Sequence, residues 1–151
     1  MEVGSNASVH SLFPVFARHE GVWEGTYKVI DHHTGHVLDE HQSRITVKME
    51  GHNGYQQTNE YTWKDGRTVA RSFPGEFRDG ALCFDTLRLV GKAYEVNENT
   101  ICLFWTYKDQ VNDKFSEIIT LESDTHRCRT WQHFEDGRFM KLTVIDEHKV
   151  Q

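Results

Sequence analysis

Phe16-Ala17-Arg18-His19-Glu20-Gly21-Val22-Trp23-Glu24-Gly25-Thr26-Tyr27 is the stretch on which the fold turns. A short apolar turn of helix (Leu12, Phe13, Phe16) runs into Gly21-Val22-Trp23-Glu24-Gly25, and a long strand-like segment follows. A sheet closed on itself has an open end, which a large aromatic side chain can fill. Glycine, lacking a Cβ, lets neighbouring backbone approach closely at the same place. Trp23 is the natural plug, with Gly21 and Gly25 on either side. Gly-x-Trp is a short signal, so the remaining chain has to supply the barrel.

Turn chemistry supplies it. Asp65-Gly66, Asp79-Gly80 and Asp136-Gly137 are the strongest hairpin signals. His33-Thr34-Gly35, Asn53-Gly54, Asn97-Glu98-Asn99 and Asn112-Asp113 mark further turns. Strand-like segments lie between them, at about 22–30, 38–49, 55–63, 67–73, 76–78, 81–86, 89–96, 101–107, 114–121, 126–134 and 138–146. With one neighbouring pair fused, that is about ten strands. Their spacing of about ten residues, without βαβ alternation, indicates an antiparallel meander. A sandwich would need Greek-key crossovers that consecutive hairpins do not. The expected fold class is all-β, a single antiparallel β-barrel, with a short N-terminal helix covering one end. Val9 to Arg18 is that helix, limited to a turn or two by Pro14. Residues 1–8, small and polar, read as a disordered tail, leaving 9–151 as one barrel domain.

Composition agrees with one thin-walled domain. The 151 residues suffice for a single core, and 12% aromatic against 37% hydrophobic favours rings lining a cavity over a helical bundle. A formal charge of −6 argues against nucleic acid and against anionic membranes as partners. Ten histidines would offset much of that charge below about pH 6.5. Cys83, Cys102 and Cys128 are an odd number at wide spacing and read as free thiols of a reducing compartment. Met1 to Ser11 lacks the basic and apolar regions of a signal peptide, and no run reaches the length of a membrane span. The expected location is therefore the cytoplasm.

Period-2 alternation assigns faces. Leu103, Trp105 and Tyr107 share an inward face, as do Phe115, Glu117, Ile119 and Leu121. Ile45, Val47 and Met49 continue back through Ser43 to His41, and Tyr55, Tyr61 and Trp63 through Gln57 and Asn59. Val69 and Phe73 flank Arg71, while Met140, Leu142 and Val144 read as inward on the last strand. Strand 126–134 stays open, with Arg127, Arg129, Trp131 and His133 on one face and Cys128, Thr130, Gln132 and Phe134 on the other. A bulge or a slipped register would invert any of these assignments.

The inward set is not purely apolar. His41, Gln57, Asn59, Arg71, Tyr107 and Glu117 stand where a plain core would carry Val or Leu. Left dry and unpaired, such groups cost about 1–3 kcal/mol each, so they must meet one another, water or a ligand. The bland alternative is that Arg71 and Glu117 form a structural ion pair closing the barrel. The functional alternative is a small-molecule pocket lined by Trp23, Tyr27, Gln57, Asn59, Tyr61 and Trp63, with Phe73, Trp105 and Phe115. Within it, Glu117 among rings would serve as acid or base and Arg71 as an anion clamp, with Tyr107 and His41 as catalytic partners. That suits cofactor-independent proton chemistry of the isomerase, cyclase, dehydratase or decarboxylase type on a small aromatic or polycyclic metabolite. A carrier or sensor of a small apolar ligand is the non-catalytic alternative. The His32-His33-Thr34-Gly35-His36 turn invites metal but reads as a solvated hairpin tip, and no metal or cofactor is expected. Dimerisation through a sheet edge or an aromatic patch is compatible with the sequence.

Gly21-x-Trp23 at the mouth of a first strand resembles the opening of lipocalin-like (calycin) barrels. There the Trp plugs the closed end and the preceding short helix covers it. Phe13 through Gly25, Gln57-Thr58-Asn59, Tyr61-Thr62-Trp63, Phe73-Pro74-Gly75 and Arg129-Thr130-Trp131 together resemble a calycin-type domain family of uncharacterised function from bacteria and fungi. The resemblance implies a lipocalin-like fold and an association of some members with small-molecule biosynthesis, but no assigned reaction. Phenolic acid decarboxylases offer an analogy of fold for the proton chemistry, without their motifs. Gly21-x-Trp23-x-Gly25 also resembles nitrobindin-like haem barrels, which continue with a further Gly where this chain has Tyr27. Those barrels need a proximal His on a late strand, for which His133 is the candidate.

Overall fold

The computed structural model describes residues 8–151. Two four-residue helices, α1 (Val9–Leu12) and α2 (Pro14–Ala17), precede ten antiparallel strands. These are β1 (Gly21–Asp31), β2 (Val37–Glu50), β3 (Gly54–Thr62), β4 (Thr68–Arg78), β5 (Ala81–Asp85), β6 (Leu89–Asn97), β7 (Thr100–Tyr107), β8 (Asp113–Leu121), β9 (His126–Glu135) and β10 (Arg138–Lys149). Each strand pairs with its sequence neighbours, and β1 pairs with β10 to close the barrel. The fused pair is 67–73 with 76–78, which Phe73-Pro74-Gly75 joins into the single strand β4. The expected tail falls largely on residues 1–7, outside the described residues, whereas Ser8 is described and caps α1 by accepting from Ser11 N–H.

Local chemistry explains the turns. Asp79 and Asp136 have φ of 52° and 49°, followed by Gly80 and Gly137 at 77° and 79°. Two successive positive φ values form the hairpin turn whose twist matches that of the strands it joins. Gly25 meets a different demand. A Cβ there would lie 1.9 Å from the carbonyl oxygen of Asp146, so β1 and β10 could not approach as they do.

The helices cover one end, as expected from the opening stretch. Phe13 and Phe16 pack on Phe77 at ring distances of 4.3 and 5.2 Å. The carboxylate of Glu95, from β6, accepts from Val15 N–H at 2.6 Å and Phe16 N–H at 2.9 Å, satisfying donors that so short a helix cannot. Glu20 accepts from Met49 N–H at 2.7 Å and ties the entry of β1 to the end of β2. Trp23 sits fully buried at this end, its indole N–H donating to His19 C=O at 2.9 Å. The plug is in place.

Faces follow the alternation on β2, β3, β7 and β8, and fail on β10. A bulge shifts the β9–β10 register between Phe139 and Lys141. Thr143, Ile145 and Glu147 therefore point inward and are buried, while Val144 is 37% exposed on the outer wall. Met140, Leu142 and Val144 do not line the interior, because one extra residue reverses every side chain beyond it. On β9 the open choice resolves in favour of Arg127, Arg129, Trp131 and His133, whose cross-strand partners Leu121, Ile119, Glu117 and Phe115 also face inward.

Candidate functional site

The barrel interior next to the Trp23 plug holds a charged network. Glu147, with no solvent exposure, accepts from Arg127 Nε at 2.7 Å and from Arg129 Nε at 2.7 Å. Arg129 donates Nη1 to Glu117 at 2.7 Å and Nη2 to the Tyr27 hydroxyl. Two guanidiniums thus face two carboxylates, and the buried charge balances. Burial alone would push the Glu147 carboxyl up, but Arg129 and Arg127 outweigh it and hold the group at about 2. Arg127 also lies over the Trp23 ring at 4.4 Å and donates to His19 Nδ1 at 3.0 Å. A guanidinium can only donate, so His19 is neutral with its proton on Nε2, which finds no partner. Burial first, then Arg127, holds His19 at about 2.

A hydrogen-bonded ladder climbs the inner face of β3. Tyr55 donates to Gln57 at 2.6 Å, Gln57 to Asn59 at 2.9 Å, and Asn59 to the Tyr61 hydroxyl at 2.7 Å. The Tyr61 ring meets Tyr27 edge to face at 5.2 Å, and the Tyr27 hydroxyl accepts from Arg129, which brings the ladder against the Arg129 network. Polar side chains at i, i+2 and i+4 of one strand reach one another because period 2 places them on one face. The inward amides of β3 are thereby partnered within the barrel.

A cavity of about 70 Å³ opens beside this ladder. Gln57, Asn59, Phe73, Trp105, Tyr107 and Glu117 line it, all named from the sequence. Phe84, Leu89, Leu103, Arg129 and Trp131 complete the wall. Both indole nitrogens, Trp105 Nε1 and Trp131 Nε1, are buried without a hydrogen-bond partner. Their rings meet edge to face at 5.2 Å. Trp105 stacks on Phe115 at 5.1 Å, and Phe115 on His133 at 4.3 Å, which makes one parallel stack toward the mouth. The wall is incomplete on one side. β4 meets β5 over Glu76–Arg78 only, so its upper half is ladder-paired with β3 alone, next to Phe73, Phe84 and Leu89.

The other sequence candidates lie elsewhere. Trp23 is the plug and does not line the cavity. His41 and Trp63 stand at the mouth, where His41 Nδ1 and Trp63 Nε1 engage Asp39 at 2.9 and 2.8 Å. Burial opposes charge on Asp39, but these two bonds hold its carboxyl below the ordinary range. His41 stacks on Tyr27 at 4.8 Å, which links the mouth to the network below. Arg71 is exposed and donates to the carbonyl of Ala70, so it neither pairs with Glu117 nor reaches the cavity. The partner of Glu117 is Arg129. Arg71 shares the inward parity of Val69 and Phe73, yet it lies on the part of β4 that β5 does not pair, where a long side chain reaches water.

His133, the candidate of the haem-barrel resemblance, has its Nε2 3.5 Å from Asp113 and 3.9 Å from Glu135. Among the described residues, the turn 32–36 contributes to no group of converging metal ligands. No helix among them is long and apolar enough to cross a membrane.

A closed ten-strand antiparallel barrel, plugged by Trp23 and capped by short helices, with an aromatic-lined cavity, is a lipocalin-like fold. Within that class the chain belongs to the family described as domain of unknown function DUF3598, N-terminal, which matches residues 10–151. A protein of unknown function from this family in Nostoc punctiforme superposes with a TM-score of 0.69 at 16% identity, covering 89% of this chain and 48% of that one. The chain thus spans about half the length of that relative. The S-type phycobiliprotein lyase CPES from Guillardia theta is similar over 99% of this chain and 97% of its own, with a TM-score of 0.72 and 13% identity. EF1p2_mFAP2b bound to DFHBI is similar over 89% and 96%, with a TM-score of 0.50 and 16% identity. No curated protein matches the chain in sequence.

Proposed function

We propose that this domain binds a small planar aromatic molecule, seating an oxygen-bearing end of it against Trp105 and Trp131. The observation that carries the reading is the pair of buried, unpartnered indole N–H groups on Trp105 and Trp131, two residues that line one cavity. A buried donor without an acceptor costs about 1–3 kcal/mol, and a carbonyl or phenolic oxygen brought within reach of either N–H by a small ring shift would recover that cost. The network below is charge-balanced, so the site favours a polar neutral group or a delocalised anion over a compact one. A cavity of about 70 Å³ holds a few waters, or the end of a ligand whose remainder lies along Phe73, Leu89 and Tyr107 toward the mouth. Small-molecule binding is in keeping with neighbours of this fold that include a phycobiliprotein lyase and a barrel bound to DFHBI.

Tryptophan emission recorded during titration with phenolic and aromatic carbonyl compounds tests the proposal, with native mass spectrometry of the freshly purified protein. A saturable quench that Trp105→Phe and Trp131→Phe each weaken supports it. Binding that both variants leave unchanged refutes it.

A catalytic reading is favoured by Glu117, which lines the same cavity at 3% exposure. There Glu117 would move a proton on the bound molecule, and Arg129, not Arg71, would steady developing negative charge. Glu117→Gln separates the two readings. It abolishes turnover but preserves binding if the domain is an enzyme, and a molecule recovered unchanged from wild-type protein marks a carrier.

A further inference from the structure

The outer wall carries a second group of converging side chains, behind the charged network. His126 and Cys128 alternate with Arg127 and Arg129 on β9, so they point outward. Asp146 and His148 alternate with Glu147 on β10 in the same way. The register sets Asp146 opposite Cys128 and His148 opposite His126. A His-x-Cys segment and an Asp-x-His segment thus form a two-by-two square of cross-strand neighbours, the closest side-chain pairs a sheet provides.

Their atoms already converge. His126 Nε2 lies 2.5 Å from Asp146 Oδ1, and Cys128 Sγ lies 3.6 Å from that oxygen and 3.9 Å from that nitrogen. A tetrahedral zinc with bonds of about 2.3 Å to sulfur and about 2.0 Å to nitrogen and oxygen separates sulfur from the other ligands by about 3.5 Å. The two sulfur distances approach that spacing without backbone movement. The nitrogen and oxygen would separate by less than about 1 Å on exchanging their hydrogen bond for metal bonds. His148 stacks on His126 with ring centres 4.4 Å apart and 7° between planes. Side-chain rotation would bring it to the fourth position.

We propose that His126, Cys128, Asp146 and His148 form a site for a divalent transition metal of the zinc class, which clamps β9 to β10. A thiolate and imidazoles select zinc or cobalt over magnesium and calcium, whose preferred ligands are oxygens. Binding replaces the thiol proton of Cys128, which passes to solvent, by a sulfur–metal bond. The clamp lies directly outside Arg127, Arg129 and Glu147, so it fixes the ladder that holds the buried charges in register.

Metal-free protein titrated with Co²⁺ and then Zn²⁺ tests the assignment. The expected result is a thiolate-to-cobalt charge-transfer band at one equivalent, displaced by Zn²⁺ and unaffected by excess Mg²⁺. Cys128→Ser should abolish the band, and Asp146→Asn or His148→Ala should weaken binding at least tenfold. Wild-type protein offers an independent readout, since Zn²⁺ should slow alkylation of Cys128 at least tenfold without protecting Cys102. A missing band, a band that survives Cys128→Ser, or unchanged alkylation of Cys128 would overturn the proposal.

Discussion

Arg129 reaches Glu147 diagonally across the β9–β10 ladder through two hydrogen bonds, Nε to Oε1 at 2.7 Å and Nη2 to Oε2 at 3.1 Å. Fork meets carboxylate in a bidentate geometry that lysine could not reproduce. The same guanidinium holds Glu117 and Tyr27, so one side chain joins β1, β8, β9 and β10. Glu147 also takes Arg127, and its removal would strand two buried cations. Glu147→Gln is expected to cost about 3–5 kcal/mol in urea unfolding, because an uncompensated buried charge is far more expensive than a missing pair.

Acid should destabilise the fold in two stages. His19 has a folded value of about 2 against an ordinary 6.5, so the unfolded chain takes up its proton first. Its contribution is complete above about pH 6.5 and declines as pH falls below that, at about 1.4 kcal/mol per pH unit. Glu147, at about 2 against an ordinary 4.5, contributes fully above 4.5 and loses that contribution as pH falls through about 2. Replacing His19 by Gln, which can still accept from Arg127, should flatten the stability profile between about pH 6 and pH 4 while leaving the lower stage intact.

Gly25→Ala tests the close approach of β1 to β10. The added methyl would meet Asp146 C=O at 1.9 Å, and the obstacle is backbone that cannot rotate away. A loss of about 3 kcal/mol or more is expected. Gly35→Ala probes the opposite case, since nothing lies within 4 Å of its Cβ position and only its φ of +73° opposes the change. The cost there should be about 1 kcal/mol.

Trp105→Phe and Trp131→Phe each remove an orphaned donor together with part of an indole ring. Relief of the unpaired N–H offsets the lost packing, so ligand-free stability should stay within about 1 kcal/mol of wild type. Thermal unfolding without and with ligand reads both quantities. The variants should differ from wild type mainly in the ligand-induced shift.

Arg71→Ala should change neither stability, beyond about 0.5 kcal/mol, nor ligand affinity, since the side chain is exposed and bonded only to the Ala70 carbonyl. The conservative Arg129→Lys should impair both. The contrast separates the buried cation of β9 from the exposed one of β4.

The sequence alone determined the local features of this protein. Asp-Gly pairs mark hairpins because few residues accept successive positive φ, and Trp23 between glycines marks the plug because only a large ring fills a barrel end. Alternation placed Gln57, Asn59, Trp105, Tyr107 and Glu117 on the inner wall, and these do line the cavity. Three things were decided only by tertiary structure. One bulged residue near Met140 turned β10 over and brought Glu147 inside, and no local pattern announces a single-residue slip. The choice between the two faces of β9 depended on carboxylates that β8 and β10 present to Arg127 and Arg129. Closure of the barrel then paired Glu117 with Arg129 and left Arg71 exposed on the part of β4 that β5 does not pair. The partner of a buried charge is a neighbour in space, so the charge signals the need for a partner without naming it.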